Sequence, residues 1–166
     1  MDLLTLLAEN DGFGKEELDR LWTVAEGQHS SLKRIVFNVI FEVAPSLSVD
    51  VTTHLVEGKL EGIPDSEFDD PTLNFVLRLA QTSGKLHLSP QLQKKGKFGI
   101  NIFWKLLQSS SKSPLGVKEL AGRYLLKVSL VFHSFHFSFF FDFFFFFLIE
   151  RECFVSIVAS VTRASE

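Results

Sequence analysis

The chain has 166 residues, a formal net charge of -3 and a pI near 6.0, and this length allows one ordinary domain. Only Lys94, Lys95 and Lys97 cluster, so the sequence lacks the basic patch on which nucleic-acid binding depends. The single cysteine, Cys153, excludes an internal disulfide and a zinc site built from several thiolates. It suits a reducing, cytoplasmic compartment.

Apolar residues recur at helical spacing along residues 1–130, in segments separated by short polar breaks. A short helix around residues 3–7 is predicted first, and it lacks the basic region of a secretory signal. The next segment, residues 15–26, predicts an amphipathic helix that carries Trp22. Ser30 or Ser31 is then expected to be the N-cap of a helix that ends before Pro45.

The second half of this region continues the helical pattern. Ser48 can cap a helix that carries Val51, Leu55, Val56 and Leu60, before glycines and a proline interrupt it. Asp70-Pro71 predicts the start of another helix, and residues 82–98 are expected to form a connecting loop. A further stripe of apolar residues at helical spacing lies within residues 100–107. After the serine-rich linker 109–113, Pro114 predicts the start of a helix that reaches Val128.

An internal repeat relates the two ends of this helical region. Four apolar residues within 15–26 align with four within 100–107 at a constant offset of 82 residues, and Trp22 falls in register with Trp104. The aligned residues are Leu18, Leu21, Trp22 and Ala25 in the first segment and Ile100, Phe103, Trp104 and Leu107 in the second. The helices that follow, from Leu32 and from Val117, align at an offset of 85. A period near 80 is about twice the length of a HEAT or armadillo repeat. Chance similarity between amphipathic helices is the alternative.

The repeat predicts the fold class and the domain organisation. Residues 1–130 are expected to form an all-α, armadillo/HEAT-like α-solenoid fragment, and residues 131–166 a Phe-rich tail outside that fold. Each helical hairpin in such an array buries its apolar face only against a neighbour, and the terminal units need polar outer faces. Neither end of this region has such a face in the sequence, so we expect a piece of a longer array.

The residues that carry the repeat also resemble a known family. Residues 17–22, His29 to Leu32 and the helix to Val43 are similar to the armadillo-like helical region of the giant fat-facets-like ubiquitin-specific proteases. Residues 99–107, followed by 117–121, resemble a later part of that region. The resemblance covers residues 10 to 130. It implies a non-catalytic scaffold fragment whose partners are other proteins or the papain-like domain that removes ubiquitin.

No catalytic, cofactor-binding or metal-binding residue is predicted in this chain. Cys153 has no histidine after it and lacks the surroundings of the family's nucleophile, so an activated thiolate is not expected there. The histidines are expected to be structural or solvent-exposed: His29, His54, His87, His133 and His136. His133 and His136 have only Asp142 as a third metal ligand, which is too few for a convincing site.

Three other features have a functional and a structural interpretation. The acidic run 61–70 lacks the spacing of a calcium-binding loop and is expected to be a solvated linker. Trp22 and Trp104 lie on apolar stripes, so core packing is favoured over a binding platform. Residues 109–113 could accept phosphate near a helix N-terminus, although a flexible linker is the stronger expectation.

The tail differs from the rest in composition, because twelve of the 19 phenylalanines lie between Phe132 and Phe154. The apolar run from Val128 to Ile149 is long enough to span a bilayer. However, a central aspartate, Asp142, costs about 2.5 to 3.5 kcal/mol, which the phenylalanines only offset. Membrane insertion is therefore disfavoured. A small single-pass or tail-anchored membrane protein with a helical domain is the alternative to the scaffold fragment. Carbonate extraction distinguishes these two hypotheses, because the chain should stay in the membrane only if it is a membrane protein.

A second hypothesis explains the tail by its origin. Phenylalanine, serine and leucine are the residues that a pyrimidine-rich nucleotide stretch encodes, as found before a splice acceptor. The hypothesis is that genuine coding sequence ends near Lys127 to Leu130. An uninterrupted exon that encodes the tail would exclude this origin.

Overall fold

A computed structural model describes residues 13–89, 99–108 and 110–132 of the chain. All regular structure in these ranges is helical and no strand occurs within them, which confirms the predicted all-α class. None of the described helices combines the length and apolar character that a membrane span requires. The short helix predicted near residues 3–7, most of the loop 82–98 and the tail from residue 133 lie outside the described residues.

The helices of the described ranges follow one another with short connections. They are α1 (Lys15–Ala25), α2 (Ser30–Val43), α3 (Val49–Thr53), α4 (Asp70–Gln81), α5 (Ile100–Leu107) and α6 (Leu115–Phe132). Helix α3 continues directly into a π-helix, His54–Leu60, here named π1. Short 3-10 turns occupy Ala44–Ser46, Asp65–Glu67 and Ser83–Lys85. The predicted bounds of α1 and α5 differ from these by at most one residue.

Side chains next to the helix starts satisfy backbone N–H groups that have no partner within the helix. Glu17 of α1 accepts a hydrogen bond from the Gly14 N–H at 3.0 Å, which is half of a capping box. The N-cap of α2 is His29, whose Nδ1 accepts from the Ser31 N–H at 3.4 Å. The prediction of Ser30 or Ser31 at this position was therefore wrong. An imidazole nitrogen can replace the expected hydroxyl, and the helix begins at Ser30 as a result.

The helices pack in a series, with α4 between two helical pairs. Helix α2 contacts α1 on one side and α4 on the other, and α4 also contacts α6, which contacts α5. One continuous apolar core runs through all of them, and its largest fully buried side chains include Leu18, Ile40, Leu73, Phe75, Phe103 and Leu125. Burying each side chain of this size contributes about 1.5 to 3 kcal/mol, so this core supplies most of the favourable energy of folding.

The second helical pair approaches α4 closely at Gly99, the N-cap residue of α5. Its φ is 84°, a left-handed conformation that favours glycine. A Cβ atom at this position would lie 2.7 Å from the Cβ of Ala80 in α4. Gly99 is thus required both for its backbone angle and for the contact between the two helices.

The internal repeat corresponds only in part to equivalent positions in the structure. Helices α2 and α6 bury matching residues, as in Ile40 and Leu125 or Val43 and Val128. The two tryptophans are not equivalent, because Trp22 is 6% exposed whereas Trp104 is only half-buried. The fully buried residues of α5 are instead Ile102, Phe103 and Leu106. Asn101 and Lys105, one turn apart, form the exposed face of α5, so the buried side is the one opposite these two residues and not the stripe that contains Trp104.

Candidate functional site

The candidate site is a cavity of about 490 Å³ that lies between α1, α2 and π1. This volume falls in the range of small-ligand pockets, about 300 to 1,000 Å³. Its lining combines aromatic, charged and glycine residues, which include Trp22, Phe37, Glu26, Lys33, Lys59, Glu67, Gly58 and Gly62. The cavity therefore offers an apolar surface together with charges of both signs.

Aromatic rings form the apolar part of this lining. The ring centroids of Trp22 and Phe37 lie 5.3 Å apart and the planes are tilted by 40°. Phe37 stacks in turn on Phe75 of α4 at 4.6 Å, which connects the cavity to the core between α2 and α4. Trp22 is buried, which confirms its predicted core packing, and it also borders the cavity. The floor of the cavity is therefore part of the apolar core.

The π-helix π1 forms one wall of the cavity and is attached to α1 through a shared carboxylate. In a π-helix each N–H bonds to the carbonyl five residues earlier, so Lys59 lies above His54 on the same face. Both reach Oδ1 of Asp19: the His54 Nε2 atom lies 2.8 Å from it and the Lys59 Nζ atom 2.7 Å. In an α-helix two residues five apart would point in different directions. The π-geometry thus brings these two side chains to one acceptor.

The charge of Asp19 is stabilised by these two partners. The hydrogen bond from Lys59, and then that from His54, holds the pKa of this carboxyl below its usual value. Asp19 is therefore a carboxylate at neutral pH and holds the positive charge of Lys59. Sequence reasoning missed this cluster, because the α-helical period does not place His54 and Lys59 on one face.

The second lysine of the cavity is also held by an acidic side chain. The Lys33 Nζ atom lies 3.0 Å from Oδ2 of Asp69, the N-cap residue of α4. Asp69 also accepts a hydrogen bond from the Thr72 N–H at 3.0 Å. Burial raises the pKa of Asp69, but the hydrogen bonds from Thr72 and Lys33 outweigh burial and leave it lowered. Lys33 thus faces a stable negative charge.

Two acidic residues at the cavity have no such partner. Glu26 follows the last residue of α1, and Glu67 closes the 3-10 turn before α4. Both are exposed, and neither forms an ion pair with any residue in the described part of the chain. The two lysines are neutralised by aspartates, so the cavity is left with two uncompensated carboxylates.

The acidic run 61–70 is not the solvated linker that the sequence predicted. Besides Asp69, its Asp65 lies 2.8 Å from the Lys105 Nζ atom of α5, and Asp70 pairs with Arg34 of α2. The hydrogen bond from Lys105 lowers the pKa of Asp65 despite an opposing effect of burial. Three carboxylates therefore attach this segment to other helices. The cations they contact are distant in sequence, so local spacing could not reveal the pairs.

The structure separates the other predicted candidates from one another. His29 caps α2, His54 contacts Asp19, and His87 is exposed. No group of three or more His, Cys, Asp or Glu side chains in the described ranges could hold a metal ion. Cys153, His133, His136 and Asp142 lie outside the described residues.

The serine linker before α6 is more ordered than predicted. Ser113 is buried, and its hydroxyl donates to the backbone carbonyl of Asp65 at 3.0 Å. The Oγ atoms of Ser111 and Ser113 lie 2.8 Å apart. The end of the linker is thus fixed to the turn before α4, so the flexible-linker interpretation does not hold at Ser113.

No family model, curated protein or solved structure matches this chain. The resemblance of residues 17–22 and 99–107 to the helical region of ubiquitin-specific proteases therefore stays a prediction. The cavity has two exposed carboxylates, from Glu26 and Glu67, above a floor of largely buried aromatic rings.

Proposed function

We propose that the chain is a non-catalytic helical scaffold, a section of an armadillo/HEAT-like array in a large ubiquitin-specific protease. In this proposal it acts in the cytoplasm by binding other proteins or by bracing the catalytic domain. Its part in protein deubiquitination is then indirect. The observation that supports the proposal best is a set of apolar side chains left exposed on the first helical pair.

The exposed apolar residues lie on both helices of that pair. Ile35 of α2 is 59% exposed and Val24 of α1 is 50% exposed. Leu32, one helical turn before Ile35 and on the same stripe, is 39% exposed. An exposed apolar stripe on a helical pair is the kind of surface that another helical pair covers in a stacked array.

The order of the helix contacts agrees with this proposal. Each helical pair contacts α4, and the described helices form a series from α1 through α2, α4 and α6 to α5. In stacked repeats each unit contacts mainly its neighbours, and partners bind along the surface of the stack. A scaffold of this kind needs no reactive side chain of its own.

The proposal is tested by the reactivity of a thiol placed on the exposed stripe. Ile35→Cys is introduced together with Cys153→Ser, in this chain and in the full-length product of the native transcript. Maleimide should label the short chain rapidly and the longer protein about tenfold more slowly, because local burial protects the thiol. Arg123→Cys, at an exposed position of α6, is the matched control. Equal rates at position 35 in both proteins would contradict the array.

The prediction that this chain has no catalytic cysteine is tested separately. A ubiquitin-derived electrophile captures the nucleophilic thiolate of a cysteine deubiquitinase. We expect no adduct at Cys153 when the 166-residue chain is treated with this probe and analysed by mass spectrometry. A stoichiometric adduct at Cys153 would show that the chain is itself an enzyme.

A further inference from the structure

We draw no further inference here: the strongest candidate, the cavity of about 410 Å³ between α2 and α4, carries none, because its two arginines, Arg34 and Arg78, already have side-chain partners within the chain and no buried polar atom without a hydrogen-bond partner lies among its lining residues to point to a ligand.

Discussion

Replacing Gly99 by alanine should weaken the contact between α5 and α4 more than an ordinary glycine substitution does. The residue has φ 84°, and this conformation costs a residue with a Cβ about 1 to 2 kcal/mol. In addition, the new Cβ would lie 2.7 Å from the Cβ of Ala80, which cannot rotate away. Overpacking of this kind costs typically about 1 to 3 kcal/mol. Gly99→Ala should therefore lower the free energy of unfolding by about 2 to 5 kcal/mol.

Gly27 separates the two contributions. Its φ is 66°, also left-handed, but a Cβ there would meet nothing within 4 Å. Gly27→Ala should therefore show only the backbone cost, about 1 to 2 kcal/mol. Gly99 has ψ -44°, outside the left-handed α region, so the difference in unfolding free energy between the two variants is an upper limit on the cost of the steric contact with α4.

The assay is urea denaturation of the full chain, followed by the helical signal in circular dichroism. A third variant, Ala80→Gly in the Gly99→Ala background, removes the atom that clashes and should recover part of the stability. Ala80→Gly alone costs about 1 kcal/mol through helix propensity, so the recovery is measured as a double-mutant cycle. Equal costs at Gly99 and Gly27, or additive effects in the cycle, would refute the described approach of α5 to α4.

Three further substitutions test the core and the ion pairs. Phe75→Ala should cost about 3 to 5 kcal/mol in the same assay, because the ring is buried and stacked on Phe37; a cost below about 1.5 kcal/mol would contradict that packing. Asp69→Asn should lower stability by about 0.2 to 1 kcal/mol, because it removes the ion pair with Lys33 while asparagine can still cap α4. Asp19→Asn should raise hydrogen exchange of the amides of π1 but not of α6, as measured by NMR; unchanged exchange in π1 would contradict its attachment through Asp19.

Asp69 also predicts a pH dependence with a definite sign. Its pKa in the folded chain lies below the ordinary 3.8, so its contribution to stability is present above pH 3.8 and is lost as pH falls through the folded value. Asp69→Asn removes this contribution. Denaturation at pH 6 and at pH 3 should therefore show a larger difference for the unmodified chain than for Asp69→Asn. Identical pH dependence in the two proteins would contradict the assignment.

Local sequence patterns predicted much of the helical framework. The apolar stripe with its polar breaks placed α1 and α5 correctly, and Ser48 caps α3 as predicted, with its Oγ accepting from the Val51 N–H at 3.4 Å. These features depend on residues within one or two helical turns, so the sequence records them directly. The histidine cap at His29 was missed because imidazole is an uncommon cap.

The candidate site was not predictable in the same way. The contacts of Asp19 with His54 and of Asp69 with Lys33 join residues 35 and 36 positions apart. Their formation depends on how α1, α2, π1 and α4 pack, which no local period reports. The π-geometry of π1 also places Lys59 on the face of His54, contrary to the α-helical spacing assumed from the sequence. Tertiary packing therefore produced the site.

The proposed origin of the chain in a ubiquitin-specific protease is tested most directly by its native transcript. Sequencing the transcript in both directions from the codons for residues 13–132 gives the complete reading frame. We predict that the frame continues through further helical repeats into a cysteine protease domain with its own nucleophilic cysteine and a histidine. A complete frame that encodes no such domain would contradict the proposed role in deubiquitination.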